Sequence, residues 1–210
     1  TGRSLERKRC SKAGLLETCA GMSSDQQWRI LRSESLCDTP YLRVNRQHVA
    51  TPSRPEGVTW MVARRHTAAV VAPQTIDGKF ILIRQERIAV QRVLWEFPAG
   101  QVDGEVNAAS IYQTALRELG EEAGVSCSSE LIPLGYFFSS VGFTDECCHL
   151  FLARDVIPRA EGFDHDEHEA IVEVRAFSES ELTELIGSGE IVDSNTLATY
   201  ARLKARRLIE

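Results

Sequence analysis

No stretch of the 210 residues approaches the roughly 18 consecutive apolar residues that a membrane-crossing helix needs. There is no internal repeat and no Cys-x-x-Cys pair, although six cysteines are scattered along the chain (Cys10, Cys19, Cys37, Cys127, Cys147, Cys148), so a zinc site is not expected. A basic excess is also missing: the net charge is -6, and no basic stripe interleaved with aromatics is present, which argues against a nucleic-acid binder. What remains, 43% hydrophobic and 26% charged residues, fits one well-cored domain with short extensions. Scattered cysteines without a secretory signal suit a reducing compartment, where buried thiols act as small hydrophobes, so a cytoplasmic location is expected.

Residues 1–25 are expected to form a flexible or vector-derived lead, with Arg3, Arg7, Lys8, Arg9 and Lys12 set against Glu6 and Glu17 and with Met22 as a candidate start. Residues 26–64 alternate apolar and polar side chains at Leu42–Val44 and Val58–Val62, broken by Pro52, Pro55 and Gly57; this predicts an antiparallel β region. Ala68–Ala72 and Phe80–Ile83 are short dense strands around an Asp77-Gly78 turn. Later strands are expected at Leu131–Phe138, Cys148–Ala153 and Ile171–Ala176. A helix capped by Ser178 and Glu181 should end near Gly187, and a last helix should start at Asp193 or Ser194.

The richest stretch runs from Trp95 to Val125. On a helix, Ile111, Ala115, Leu119 and Ala123 line an apolar face, while Glu118, Glu121 and Glu122, three and four apart, crowd together. Six acids and one base lie between Glu96 and Val125, a repulsive arrangement that a hard divalent cation would neutralise, with magnesium or manganese the natural choice. Pro98-Ala99-Gly100 ahead of the helix can present a carbonyl oxygen as a further ligand, and Gly124 can stop the helix. The alternative reading of the same residues is an ordinary solvated acidic face.

Arg117-Glu118-Leu119-Gly120-Glu121-Glu122-Ala123-Gly124-Val125 resembles the second half of the Nudix box: Gly, five residues, Glu, seven residues, Arg-Glu-apolar-any-Glu-Glu-any-Gly-apolar. The first half departs, with four residues between Gly100 and Glu105 and eleven between Glu105 and Arg117. Arg84-Gln85-Glu86-Arg87 and Trp95-Glu96-Phe97-Pro98-Ala99-Gly100 are similar to the ADP-ribose pyrophosphatase branch. So is Ser139-Ser140-Val141-Gly142-Phe143-Thr144-Asp145-Glu146, except that Val141 stands where the branch usually has the proline associated with ADP-ribose preference.

The resemblance implies an α+β fold, an α/β/α sandwich with a mixed sheet spanning residues 65–210, plus the small N-terminal antiparallel region. It implies hydrolysis of a nucleoside diphosphate sugar, ADP-ribose first, to AMP and ribose 5-phosphate. Ala99, Glu118, Glu121 and Glu122 would hold magnesium, with manganese as the alternative, and Arg117 would orient a box glutamate. Arg87 would touch a substrate phosphate, Glu146 would bind substrate, and Glu167 would be the base, with Glu169 as second choice. A small nucleotide is the expected partner, with no nucleic acid and no membrane. The branch also implies a homodimer in which Trp28 or Trp60 stacks on the base, against the alternative that both tryptophans pack on their own sheet. Rival functions are cleavage of another nucleoside diphosphate sugar or a dinucleotide, and a non-catalytic ADP-ribose sensor.

Overall fold

The computed structural model describes residues 28–160 and 170–210. The expected lead at 1–25, and Glu167 and Glu169, lie outside the described residues.

Strand β1 (Arg29–Asp38), β2 (Arg43–Thr51) and β3 (Arg54–Arg64) form an antiparallel sheet in that order. Every residue of β1 is exposed. The main sheet has eight strands: β4 (Ala68–Thr75), β5 (Phe80–Arg87), β6 (Arg92–Glu96), β7 (Ala99–Gln101), β8 (Val125–Ser126), β9 (Ile132–Phe138), β10 (Cys147–Pro158) and β11 (Ile171–Phe177). They run in the order β11-β5-β4-β10-β8, with β6 on β5, β7 on β4 and β9 on β10. The β4–β10 pair is parallel and its neighbours are antiparallel, so the sheet is mixed as expected.

Ala68-Ala69-Val70-Val71-Ala72 shows no polar alternation because both faces of β4 are covered. Ala69, Val71 and Ile81 pack on Ile111, Ala115 and Leu119 of helix α1 (Ala108–Glu121). Val70, Ala72, Phe80 and Leu82 pack against Leu182 of α2 (Glu179–Ser188) and Leu203 of α3 (Ser194–Ala205) on the other side. These are the helix, sheet and helix layers of an α/β/α sandwich.

Local chemistry explains the element ends. Gly78 takes the left-handed conformation (φ 83) in the Asp77-Gly78 turn, and Asn107 and Ser110 cap α1 reciprocally. Gly124, at φ 63, lies just past α1. Ser178 and Glu181 form the expected capping box, and α2 ends at Ser188, near the expected Gly187, with Gly189 as its left-handed cap. Of the two candidate caps for α3, Asp193 serves. Cys37, Cys127 and Cys148 are free thiols, as expected; Cys147 departs from that expectation in being disulfide-bonded. No helix among the described residues is long and apolar enough to cross a membrane.

Candidate active site

Glu118 and Glu122 sit one helical turn apart at the margin of the apolar stripe of α1, and only 1% and 2% of their surfaces are exposed. Their burial rules out the solvated acidic face as the reading for these two. Removing a carboxylate from water is costly unless charge or hydrogen bonds meet it. The Ala99 N–H donates to Glu122 Oε2 at 2.8 Å, and Arg117 Nη2 lies 2.6 Å from Glu118 Oε1 while its other arm reaches Glu121. Burial pulls the Arg117 pKa down, but the Glu118 and Glu121 carboxylates outweigh it and leave the guanidinium above its ordinary value. Gly100 is required by space: a Cβ built there would stand 1.6 Å from Glu118 Oε1. Helix α1 and strand β7 therefore close on each other around two carboxylates; where an irregular loop offering a carbonyl was expected, Ala99 opens a short strand and meets Glu122 through its N–H.

Whether this donor set suits a hard cation follows from its chemistry. Among the described residues no three His, Cys, Asp or Glu side chains are assembled into a ready-made metal group. Magnesium does not ask for one, since it is commonly held by one or two carboxylates together with waters and substrate phosphates. Two carboxylates, Glu118 seated against Gly100 and Glu122 against the Ala99 N–H, fit that requirement.

A second cluster lies beside the first. Arg87, at the end of β5, grips the buried Glu96 of β6 through Nε at 2.9 and 3.1 Å and Nη2 at 2.5 Å. Arg87, expected to touch a substrate phosphate, is thus paired with an acid of its own chain. The Glu96 bond raises Arg87 above its usual value. Burial pushes the Glu96 carboxyl above its ordinary value; the two-armed grip of Arg87 opposes that and Asp193 adds to it. The Phe97 N–H donates to Thr196 Oγ1 at 2.9 Å, and that hydroxyl donates to Asp193 Oδ2 at 2.8 Å, so the cap of α3 anchors the Trp95–Gly100 loop. Sequence reasoning read Asp193 only as a cap. The Asp-x-x-Thr spacing was visible, but its partner, 99 residues upstream of Thr196, was not.

Glu146 lies ahead of β10, its Oε1 2.8 Å from Arg65 Nε and its Oε2 accepting from Ser139 Oγ at 2.6 Å. Trp28 and Trp60 are 60% and 54% exposed, so neither is the core residue of the alternative reading. The Trp60 indole N–H donates to the Gly142 carbonyl at 2.6 Å while Trp28 stands at the head of the separate N-terminal sheet. Glu105 is exposed ahead of α1 and is not brought to the buried pair.

Comparison with known proteins agrees with this geometry. The ADP-ribose pyrophosphatase of Bacillus subtilis (strain 168) is 33% identical over 147 residues, covering 70% of this chain and 77% of that protein. The methanol dehydrogenase activator of Bacillus methanolicus is 32% identical over 150 residues, with the same 70% and 77% coverage. The ADP-ribose pyrophosphatase of Mycobacterium tuberculosis (strain ATCC 25618 / H37Rv) is 28% identical over 175 residues, covering 83% and 82%. A solved structure, described as the crystal structure of ADP compounds hydrolase, shares the fold with a TM-score of 0.68 at 20% identity, covering 88% of this chain and 98% of that one. The NUDIX domain family model matches residues 64–199, from the last residue of β3 into α3. By that match, which takes in both carboxylate clusters, the chain belongs to the Nudix hydrolases, among the ADP-ribose pyrophosphatase-like members.

Proposed function

We propose that the chain hydrolyses the diphosphate bond of nucleoside diphosphate sugars in the presence of a divalent cation, with ADP-ribose the first substrate and AMP and ribose 5-phosphate the products. The observation that carries this is the buried Glu118 and Glu122 pair packed on Ala99 and Gly100. Two ADP-ribose pyrophosphatases among the relatives point to the substrate class. Magnesium, or manganese in its place, would neutralise the diphosphate oxygens and acidify the attacking water. Glu118, Glu121, Glu122 and the Ala99 carbonyl would hold it, with Arg117 orienting the carboxylates.

Arg87, fixed by Glu96, offers its remaining N–H groups to a phosphate. Glu146 accepts from a donor on the nucleoside, and Trp28 or Trp60 offers a ring face to the base. Glu167 takes the proton as the water oxygen bonds to one phosphorus, and the bridging P–O bond breaks with its electron pair leaving on the other phosphate. Replacing Glu167 with Gln should therefore lower turnover more than affinity and do more harm than the same change at Glu169; the reverse ranking moves the base to Glu169.

The fully exposed β1, with Ile30, Leu31 and Leu36 in water, supports a homodimer in which the N-terminal sheets are covered by the second copy. Val141, in the position where the branch has proline, favours a second reading in which another nucleoside diphosphate sugar or a dinucleotide is preferred. Purified protein with magnesium, a panel of diphosphate compounds and identification of the products separates these. Binding of ADP-ribose without cleavage of any compound would leave the sensor, and neither binding nor cleavage would sink both.

A further inference from the structure

The segment from Ser139 to Glu146 is fastened to the end of β3, some 80 residues earlier in the chain. The Trp60 indole donates to the Gly142 carbonyl, the Ala63 N–H donates to the Phe143 carbonyl at 2.7 Å, and Arg64 Nη1 lies 2.6 Å from Asp145 Oδ2. Arg65 is attached twice, its backbone N–H to Asp145 Oδ1 at 3.2 Å and its side-chain Nε to Glu146 Oε1 at 2.8 Å. The second oxygen of Glu146 is taken by the Ser139 hydroxyl, so the carboxylate is held at both ends. Its side chain keeps 17% of its surface exposed.

The sheet register places this clamp beside the carboxylate site. Cys148, two residues after Glu146, lies across from Ala68, and Ala68 lies across from Gln101. The neighbouring row joins His149, Ala69 and Gly100, the glycine against which Glu118 rests.

From this geometry we infer that Arg65 is a positioning residue, which acts on the substrate only through Glu146; the inference rests on the function proposed above. A carboxylate has about four acceptor positions, so the two bonds from Arg65 and Ser139 fix its plane and leave about two positions for a further donor. Diphosphate oxygens are acceptors, so the group received is an O–H or N–H of the nucleoside. A glutamate already held in one rotamer does not have to be ordered when that group arrives. Arg65 therefore sets affinity for the nucleoside and leaves the bond-breaking step alone.

The test is a double-mutant cycle on a diphosphate sugar that the wild type cleaves, with Arg65→Ala, Glu146→Ala and the double variant, and with Arg65→Lys as the conservative control. Arg65→Ala should raise KM about tenfold with kcat within about threefold, and Arg65→Lys should recover part of the loss. The double variant should be no worse than Glu146→Ala alone, because Arg65 has nothing further to act through. Hydrogen exchange of the amides of residues 140–147 should be faster in Arg65→Ala, whatever the activity. Additive losses, an unchanged KM in Arg65→Ala or Glu146→Ala, or unchanged exchange would each overturn the inference. A wild type that cleaves no diphosphate sugar would instead sink the proposed function, and the exchange comparison would still decide whether Arg65 holds Glu146.

Discussion

At the scale of single residues, Glu118 and Glu122 are the costly side chains, buried acids met by the Arg117 guanidinium and the Ala99 backbone N–H. Exchange of either for glutamine keeps the shape and one oxygen acceptor but removes the charge. Turnover should fall by about a hundredfold or more, while the thermal midpoint stays within a few degrees. Near-normal cation-dependent turnover in both variants would mean that the reacting centre lies elsewhere. His149, in β10, makes a prediction of another kind. Burial holds its pKa below the ordinary 6.5, so the folded chain binds that proton less readily than the unfolded chain. The sign follows: its contribution is fully present above pH 6.5 and is lost as the pH falls below it. The thermal midpoint should therefore drop between pH 7 and pH 5.5, and His149→Gln should flatten that slope. An unchanged slope would assign the acid lability to other groups.

At the scale of elements, the caps and the carboxylate face were legible because they are local: Ser178 and Glu181 are three apart, and Glu118 and Glu122 lie on successive turns. So were the strands, whose dense Ala68–Ala72 run matches a twice-covered β4. The links between distant segments were hidden from a reading based on spacing. Arg65 and Glu146, and Phe97 and Thr196, are brought together only by the sheet order, and no periodicity announces either pair. Glu105 falls ahead of the Asn107 cap of α1, exposed, whereas Glu118 and Glu122 lie at the far end of the helix, buried. The α3 cap yields a prediction at this scale. Thr196→Val leaves the Phe97 N–H without its acceptor in the core, which should cost roughly 1–3 kcal/mol. Because the same loop carries Glu96 and Ala99, kcat/KM should fall as well. A lowered thermal midpoint with untouched kcat/KM would limit the α3 cap to a structural role.

At the scale of the molecule, a three-stranded sheet with one wholly exposed strand is attached to a well-cored sandwich. Light scattering should give a dimer, and mixing a Glu118→Gln protein with a Trp28→Ala or Trp60→Ala protein should recover activity if each pocket draws on both copies. A mixed dimer then carries both lesions in one pocket and leaves the other intact, and no recovery despite demonstrated subunit exchange counts against sharing. Strand β3 adds a mechanical consequence. Its 11 residues make a beam of about 36 Å, built into the N-terminal sheet along its length and clamped at its Arg64 end to the segment that carries Glu146. Such a beam is a lever: a tilt of about 5° moves its far end by roughly 3 Å over that length. A load seated on the N-terminal sheet would therefore reach the segment that carries Glu146 through the Arg64 clamp, as a change of angle there.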